Sequence, residues 1–159
     1  MGLKHMMKEV TMDVNKISNY IIKNYPDCCL AYNIKNHNYC KEELIEECED
    51  FFYYEKLKWC GCGYPCVAKK VIRDLLRILY DFHKDSDFDR SYKRKTKNFN
   101  ERFGVSNVCD NELLLCVAYA LDAAEFTEHG SSIGSAWLTE EGEMFLWCLN
   151  QNDELGNEC

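Results

Sequence analysis

Residues 65–84 carry the most regular amphipathic pattern in the chain, and this pattern constrains the fold most strongly. Apolar side chains recur at helical spacing along one face, and Lys69, Lys70, Arg73, Asp74 and Arg77 fill the other face. Pro65 suits the first turn of such a helix, because its missing N–H would have no partner there. We therefore predict an amphipathic helix with one buried face. That face comprises Val67, Ala68, Val71, Ile72, Leu75, Leu76, Leu79 and Phe82.

Three further helices follow from the same kind of pattern. Apolar spacing predicts helices over about 12–24 and 40–57, and a loop between them through residues 27–39. Asp110 or Asn111 is a suitable N-cap for the next helix. Residues 113–121 contain no charged side chain, which predicts a helix that is buried on all sides.

Residues 125–146 have the pattern of a strand, a Gly/Ser turn, a second strand and a capped helix. Thr139 is the predicted N-cap of this last helix, and Glu140 and Glu141 lie in its first turn, where the helix dipole favours carboxylates. The sequence therefore predicts a small β-hairpin between two helices.

Residues 113–146 resemble the helix–wing–helix half of winged helix-turn-helix proteins, with Leu138, Thr139 and Gly142 matching the start of the last helix. The stretches "TEHGSSI", "AWLT" and "WCGCG" are similar to small uncharacterised proteins of phages and prophages of Gram-positive bacteria. The resemblance implies a single, mainly α domain in which a helical N-terminal part packs on a winged-helix-like part. The expected parts are a helical subdomain (1–85), a basic connecting segment of loop or irregular helix (86–105), the winged-helix-like subdomain (106–150) and an acidic tail (151–159).

The charge distribution argues against DNA binding by the predicted wing. All 19 Lys and Arg residues precede Phe103. DNA affinity comes largely from cations that displace phosphate counterions, and residues 103–159 contain none. Its acidic residues are Asp110, Glu112, Asp122, Glu125, Glu128, Glu140, Glu141, Glu143, Asp153, Glu154 and Glu158.

An acidic face of this kind can imitate a nucleic acid and occupy a basic groove on a protein partner, because complementary potentials speed encounter. The likeness to phage proteins implies a non-enzymatic inhibitor of a host nucleic-acid-handling defence complex, as anti-CRISPR proteins are, acting in the host cytoplasm. We predict that the partner-binding face comprises Asp122, Glu125, Glu128, Ser131, Ser132, Glu140 and Glu141.

The basic segment supports an alternative function. Residues 90–102 contain six cations and one acid, with Tyr92 and Phe99 interleaved for base stacking. A winged-helix DNA-binding regulator, as a monomer or dimer, would use this segment. The same cations could instead belong to a solvated loop that pairs with the acidic C-terminal part of the same molecule. The cations of this alternative are Arg90, Lys93, Arg94, Lys95 and Lys97.

The chain has 11 cysteines, an odd number, and its first 16 residues contain no apolar run long enough for a signal peptide, so we expect the cysteines to be reduced. Cys48, Cys116 and Cys148 are expected to pack as small hydrophobic residues. A third hypothesis is a zinc-stabilised scaffold, because three cysteines are close enough in sequence to share one metal ion. These cysteines are Cys60, Cys62 and Cys66.

We predict no enzymatic activity and no membrane span. Cys66 is the best candidate nucleophile because it lies at a predicted helix start, but no histidine is adjacent to it in sequence. The hydrolase, metalloprotease, phosphate-loop and dinucleotide signatures do not occur in the sequence. No apolar run approaches the length of a bilayer-spanning helix.

Overall fold

A computed structural model describes residues 12–57 and 67–154. Over these residues the protein is mainly helical, with one two-stranded antiparallel sheet. Among them, no helix combines the length and the apolar character that crossing a bilayer requires. The elements are α1 (Val14–Asn24), α2 (Cys29–Asn36), α3 (Lys41–Asp50), α4 (Lys69–Phe82), α5 (Phe88–Phe103), α6 (Glu112–Ala123), β1 (Thr127–Glu128), β2 (Trp137–Leu138) and α7 (Glu140–Glu154).

The predicted helices are present, with three differences in extent. Residues 29–36 form α2 where a loop was predicted; the Sγ atom of Cys28 caps it by accepting the N–H of Ala31. Helix α4 begins at Lys69 with Ala68 as its N-cap, later than the predicted start at Pro65. Helix α3 continues into a π-helical turn over Phe51–Lys56, whose wider turn allows Phe51, Phe52 and Tyr53 all to be buried.

The basic segment is a regular helix, α5, rather than a loop or irregular helix. Asp87 caps its N-terminus, and Gly104, at φ 70°, ends it in the left-handed conformation that glycine adopts without strain. Its buried face is mostly polar, which explains why hydropathy did not reveal it. That face comprises Ser91, Lys95, Asn98 and Phe99.

Helices α4 and α7 form the centre of the molecule. Helix α7 packs against α3 and α4, and α4 packs against α5. An aromatic cluster joins the two halves of the chain: the ring centroid of Phe52 lies 5.7 Å from those of both Phe126 and Phe145. These three rings are completely buried. Burial of side chains of this size contributes roughly 1.5–3 kcal/mol each.

The prediction that α6 is buried on all sides is wrong. Leu113 and Tyr119 are 53% and 52% exposed, and Cys116 is exposed as well, whereas Leu114, Val117 and other residues of the opposite face are buried. Helix α6 makes its main contacts with β1 and with the 3-10 helices over Val108–Asp110 and Ile133–Ser135, and its other face is open to solvent. Cys48 and Cys148 are completely buried, as predicted, and burial raises the pKa of the Cys48 thiol to about 12.

The predicted hairpin is present as a short antiparallel pair, with Thr127 opposite Leu138 and Glu128 opposite Trp137. The turn between them includes a 3-10 helix over Ile133–Ser135. Lys95 of α5 holds this turn from inside the protein, because its Nζ atom donates to the carbonyl of Gly134 at 3.0 Å.

Candidate functional site

The end of α6 and the start of α7 meet in a tightly packed junction. The hydroxyl of Thr139 donates to the carbonyl of Glu125 at 2.6 Å and accepts the N–H of Gly142 at 3.1 Å, which confirms Thr139 as the helix N-cap. A Cβ atom at Gly142 would overlap the carbonyl oxygen of Phe126, so glycine is required for this approach. The junction fixes the relative positions of the acidic residues on both helices.

Helix α6 ends at this junction in a Schellman motif. The N–H of Phe126 donates to the carbonyl of Leu121 at 2.9 Å, and that of Glu125 donates to Asp122 at 3.0 Å. The C′ position of such a motif usually holds glycine, but here Glu125 occupies it with φ 67°. This left-handed backbone is strained for a residue with a side chain. It presents Glu125 beside the hairpin.

A pocket of about 520 Å³, which we call the acidic pocket, opens beside this junction. Among the described residues that line it, none is a lysine or an arginine. Five of the seven residues predicted for the partner-binding face lie around this cavity, although they come from three different elements and their connections. These five are Asp122, Glu125, Glu128, Glu140 and Glu141.

Ser131 and Ser132, the other two predicted residues, lie elsewhere. Both are exposed in the turn of the hairpin and do not line the acidic pocket. The carboxylates of the predicted face therefore surround the pocket from α6, β1, α7 and their connections, and the two serines at the tip of the hairpin do not line the pocket.

Glu141 differs from the other four carboxylates because it is only 7% exposed. Tyr20 and Tyr25 of the N-terminal helical part both donate from their hydroxyls to its Oε2 atom at 2.8 Å. The Nζ atom of Lys56 lies 3.7 Å from its Oε1 atom. Burial, followed by the hydrogen bond to Glu141, raises the pKa of each tyrosine well above its usual range, so both remain neutral donors. Glu141, which was predicted to lie on the partner-binding face, is therefore a residue of the protein interior.

The remaining lining residues were not predicted from sequence. Tyr20 comes from α1, Thr127 from β1 and Thr139 from the start of α7, and His129 follows β1. The Nδ1 atom of His129 lies 2.9 Å from Oδ1 of Asp122, a contact that links the residue after β1 to α6. Tyr20 gave no usable sequence signal, because its contact with Glu141 spans most of the chain.

The five cations of the nucleic-acid alternative have different environments. Lys95 is 2% exposed, and burial lowers its pKa. Arg90 forms two hydrogen bonds with Asp85, and Arg94 binds both Asp81 and Asp85. Their partners belong to α4 and the turn after it, not to the acidic stretch of residues 103–159.

The other two cations are more accessible. Lys93 is exposed, and Lys97 makes an exposed contact of 3.9 Å with Glu101 one helical turn away. Tyr92 is 46% exposed, but Phe99 is completely buried and does not reach the surface for base stacking.

The predicted metal ligands Cys60, Cys62 and Cys66 lie outside the described residues. Within residues 12–57 and 67–154, no group of three or more His, Cys, Asp or Glu side chains is arranged to hold a metal ion. Among the other cysteines, Cys28 and Cys40 occupy helix N-caps and Cys48 is buried.

Comparison with protein-family profiles, with curated proteins and with solved structures finds no match for this chain.

Proposed function

We propose that this chain is a non-enzymatic interaction protein that binds a basic surface of a protein partner through the acidic pocket. The observation that carries the proposal is the convergence of five carboxylates on one cavity, all of them from residues 103–159, a stretch without lysine or arginine. Four of these side chains keep solvent access at the rim, namely Asp122, Glu125, Glu128 and Glu140. Concentrated negative charge of this kind steers a basic partner and selects against an acidic one.

A groove that handles nucleic acid is the basic surface that such a face fits best, because its cations are spaced to neutralise phosphates. The most specific form of this proposal is that the partner is a host defence complex such as a CRISPR effector, and that the chain is a phage-encoded inhibitor acting in the host cytoplasm. The unit α6–β1–β2–α7 would then be a winged-helix-like module that keeps the shape of a winged helix but lacks the cations needed to bind DNA. The sequence resemblance supports this form of the proposal.

The DNA-binding alternative receives less support from the geometry. Lys95 is buried, and Arg90 and Arg94 are neutralised by aspartates of the same molecule. These ion pairs would have to break before the arginines could contact phosphates, and the protein would lose their stabilising interactions. Few cations of this segment therefore remain available to bind DNA. The accessible ones are Lys93 and Lys97, with Arg102 at the end of α5.

The test is a displacement assay. Purified protein is added to basic nucleic-acid-handling proteins, CRISPR effectors among them, that hold a fluorescent duplex, and the released duplex is measured by anisotropy. We expect the wild-type chain to displace the duplex from its partner. Charge reversal at the four rim carboxylates should abolish displacement, because each reversed residue would repel the basic groove. The substitutions are Asp122→Lys, Glu125→Lys, Glu128→Lys and Glu140→Lys.

A matched control reverses four exposed glutamates of α3 and its π-helical extension, with the same change in net charge. These are Glu42→Lys, Glu46→Lys, Glu47→Lys and Glu55→Lys. Equal loss in both variants would mean that only net charge matters, and displacement that survives the rim reversal would contradict the proposal. Direct duplex binding by the wild-type chain that collapses between about 50 and 200 mM salt would favour the DNA-binding alternative.

A further inference from the structure

A continuous row of aromatic rings crosses the surface from β2 to the start of α5. The ring centroid of His83 lies 6.0 Å from that of Trp137 and 4.7 Å from that of Phe82. Phe82 in turn lies 6.0 Å from Phe88, which stacks on Tyr92 at 5.9 Å. Phe88 and Tyr92 are 66% and 46% exposed, and Trp137 is 39% exposed. Exposed apolar side chains that form one patch indicate an interaction surface, whereas single scattered ones do not.

The charges beside the exposed end of this row leave one carboxylate and one ammonium group unpaired. On the first two turns of α5, Arg90 and Arg94 are paired with aspartates of the same chain, and Lys95 is 2% exposed. Within the described parts of the chain, Asp89 and Lys93 make no ion pair, and both are exposed. This surface is therefore close to neutral, although the whole chain has a net charge of −8.

The order of these side chains along α5 makes the surface complementary to itself. Phe88 and Tyr92 form one row along the helix and Asp89 and Lys93 form the next, because residues four positions apart lie one turn above each other. A two-fold axis perpendicular to α5 and midway between Asp89 and Lys93 reverses both rows. Asp89 of one copy then faces Lys93 of the other on each side of the axis, and the aromatic rows of the two copies meet beside them.

A second copy of the chain fits this surface better than a nucleic acid or a strongly charged protein does. A nucleic acid would meet one unpaired cation here, Lys93, whereas phosphate binding requires several. A strongly basic or acidic protein would find a partner for one of the two charges and repulsion from the other. Only an identical surface satisfies both charges and covers the exposed rings, and two-fold pairing is the commonest symmetry of homo-oligomers.

We propose that the chain forms a two-fold symmetric dimer through antiparallel packing of α5, with Phe88 and Tyr92 at the centre and Asp89 paired with Lys93 of the other copy. None of these four residues lines the acidic pocket, so the inference is independent of the proposed function. Helix α5 has 16 residues and is about 24 Å long. An interface of this length is at the small end of the range, so we expect a Kd on the order of 10–100 µM.

Sedimentation velocity of the full chain, from about 5 to 500 µM, brackets the expected Kd. A reductant is included, because exposed cysteines such as Cys116 would otherwise cross-link copies on oxidation. We expect the wild-type chain to shift from monomer to dimer across this range. Tyr92→Ser should raise the Kd at least about tenfold, because aromatic side chains at the centre of an interface contribute most of its energy. The matched control is Tyr32→Ser on α2, where the tyrosine is 67% exposed, and it should leave the Kd unchanged.

Two charge variants test the identity of the partner and the antiparallel register. Asp89→Lys and Lys93→Asp should each raise the Kd about tenfold, because two like-charge contacts replace two ion pairs in each dimer. An equimolar mixture of the two variants should dimerise with about the wild-type Kd, since both lysines of one copy then face both aspartates of the other. Recovery in the mixture requires that copies of this chain meet through these residues.

Three results would overturn the inference: a monomer at every concentration up to about 500 µM, well above the expected Kd; equal effects of Tyr92→Ser and Tyr32→Ser; or a mixture of the charge variants that associates no better than either variant alone. All the substituted side chains are exposed, so these variants test association rather than folding.

Discussion

At the scale of single residues, Glu125 combines backbone strain with a position on the acidic pocket. Its φ of 67° in a Schellman motif favours glycine, yet the residue there is a carboxylate. Strained residues of this kind persist where function requires the side chain. Glu125 is therefore the residue at which stability and binding should conflict most directly.

We expect Glu125→Gly to raise the free energy of unfolding by up to about 1 kcal/mol, because glycine relieves the left-handed strain. The same change should weaken duplex displacement by removing a rim charge. Glu125→Gln keeps the strain and loses the charge, so it should weaken displacement without stabilising the protein. Urea denaturation provides the stability measurement. A destabilised glycine variant would contradict the assigned backbone conformation.

At the scale of elements, burial in α4 and α6 is the opposite of what the polarity of each sequence predicts. Helix α4 has a charged face, but Asp74, Arg77 and Asp81 on it are buried. Arg77 Nε donates to the side chain of Asn150 at 2.7 Å, and Asp81 accepts from Arg94, so neighbouring helices cover this face with polar partners. Helix α6 has an uncharged sequence and lies half exposed. Hydropathy located both α4 and α6, but the neighbours of each helix decide which of its faces are covered.

The contact between the hairpin base and α7 gives a prediction at this scale. Gly142→Ala should destabilise the protein by about 1–3 kcal/mol, because the added methyl would overlap a backbone oxygen that cannot rotate away. Gly130→Ala is the matched control, since nothing lies within 4 Å of its added Cβ. Its effect on the midpoint of urea unfolding should stay within about 0.5 kcal/mol. Equal effects of the two substitutions would show that the close approach does not form.

At the scale of the whole molecule, one ion-pair network joins the end of α4 to the start of α5. Arg90, whose Nη2 and Nε atoms lie 2.7 and 2.9 Å from Asp85, lowers the pKa of that carboxyl well below its usual range. The N–H of Asp87 and the guanidinium of Arg94 add to this effect. The folded state therefore favours the carboxylate more than the unfolded state does.

The sign of the pH dependence follows directly. The contribution of Asp85 is fully present above the ordinary aspartate pKa near 4 and is lost as the pH falls below it. We expect Asp85→Asn to be less stable than wild type at pH 7 and to lose less stability between about pH 4 and pH 2. Urea midpoints measured across this range provide the check. Parallel pH profiles for the two proteins would contradict a native-state role for this network.

The sequence by itself determined the mainly helical composition, the cap at Thr139, a cap of α6 at Asp110 or Asn111, the short hairpin, and the absence of cations after Arg102. These features depend on neighbours within a few residues: apolar spacing, a capping side chain and a tight turn. The acidity of the pocket was predictable for the same reason, since its five carboxylates occupy one short stretch.

Only the tertiary structure decided which residues are buried and which charges are satisfied. Glu141 became an interior acceptor because Tyr20 and Tyr25 approach it from α1 and the residue after it, more than a hundred positions away. Lys95 became buried because the hairpin turn supplies a carbonyl to its ammonium group. Such pairings depend on how helices pack, and the local pattern of a sequence does not encode a partner at that distance.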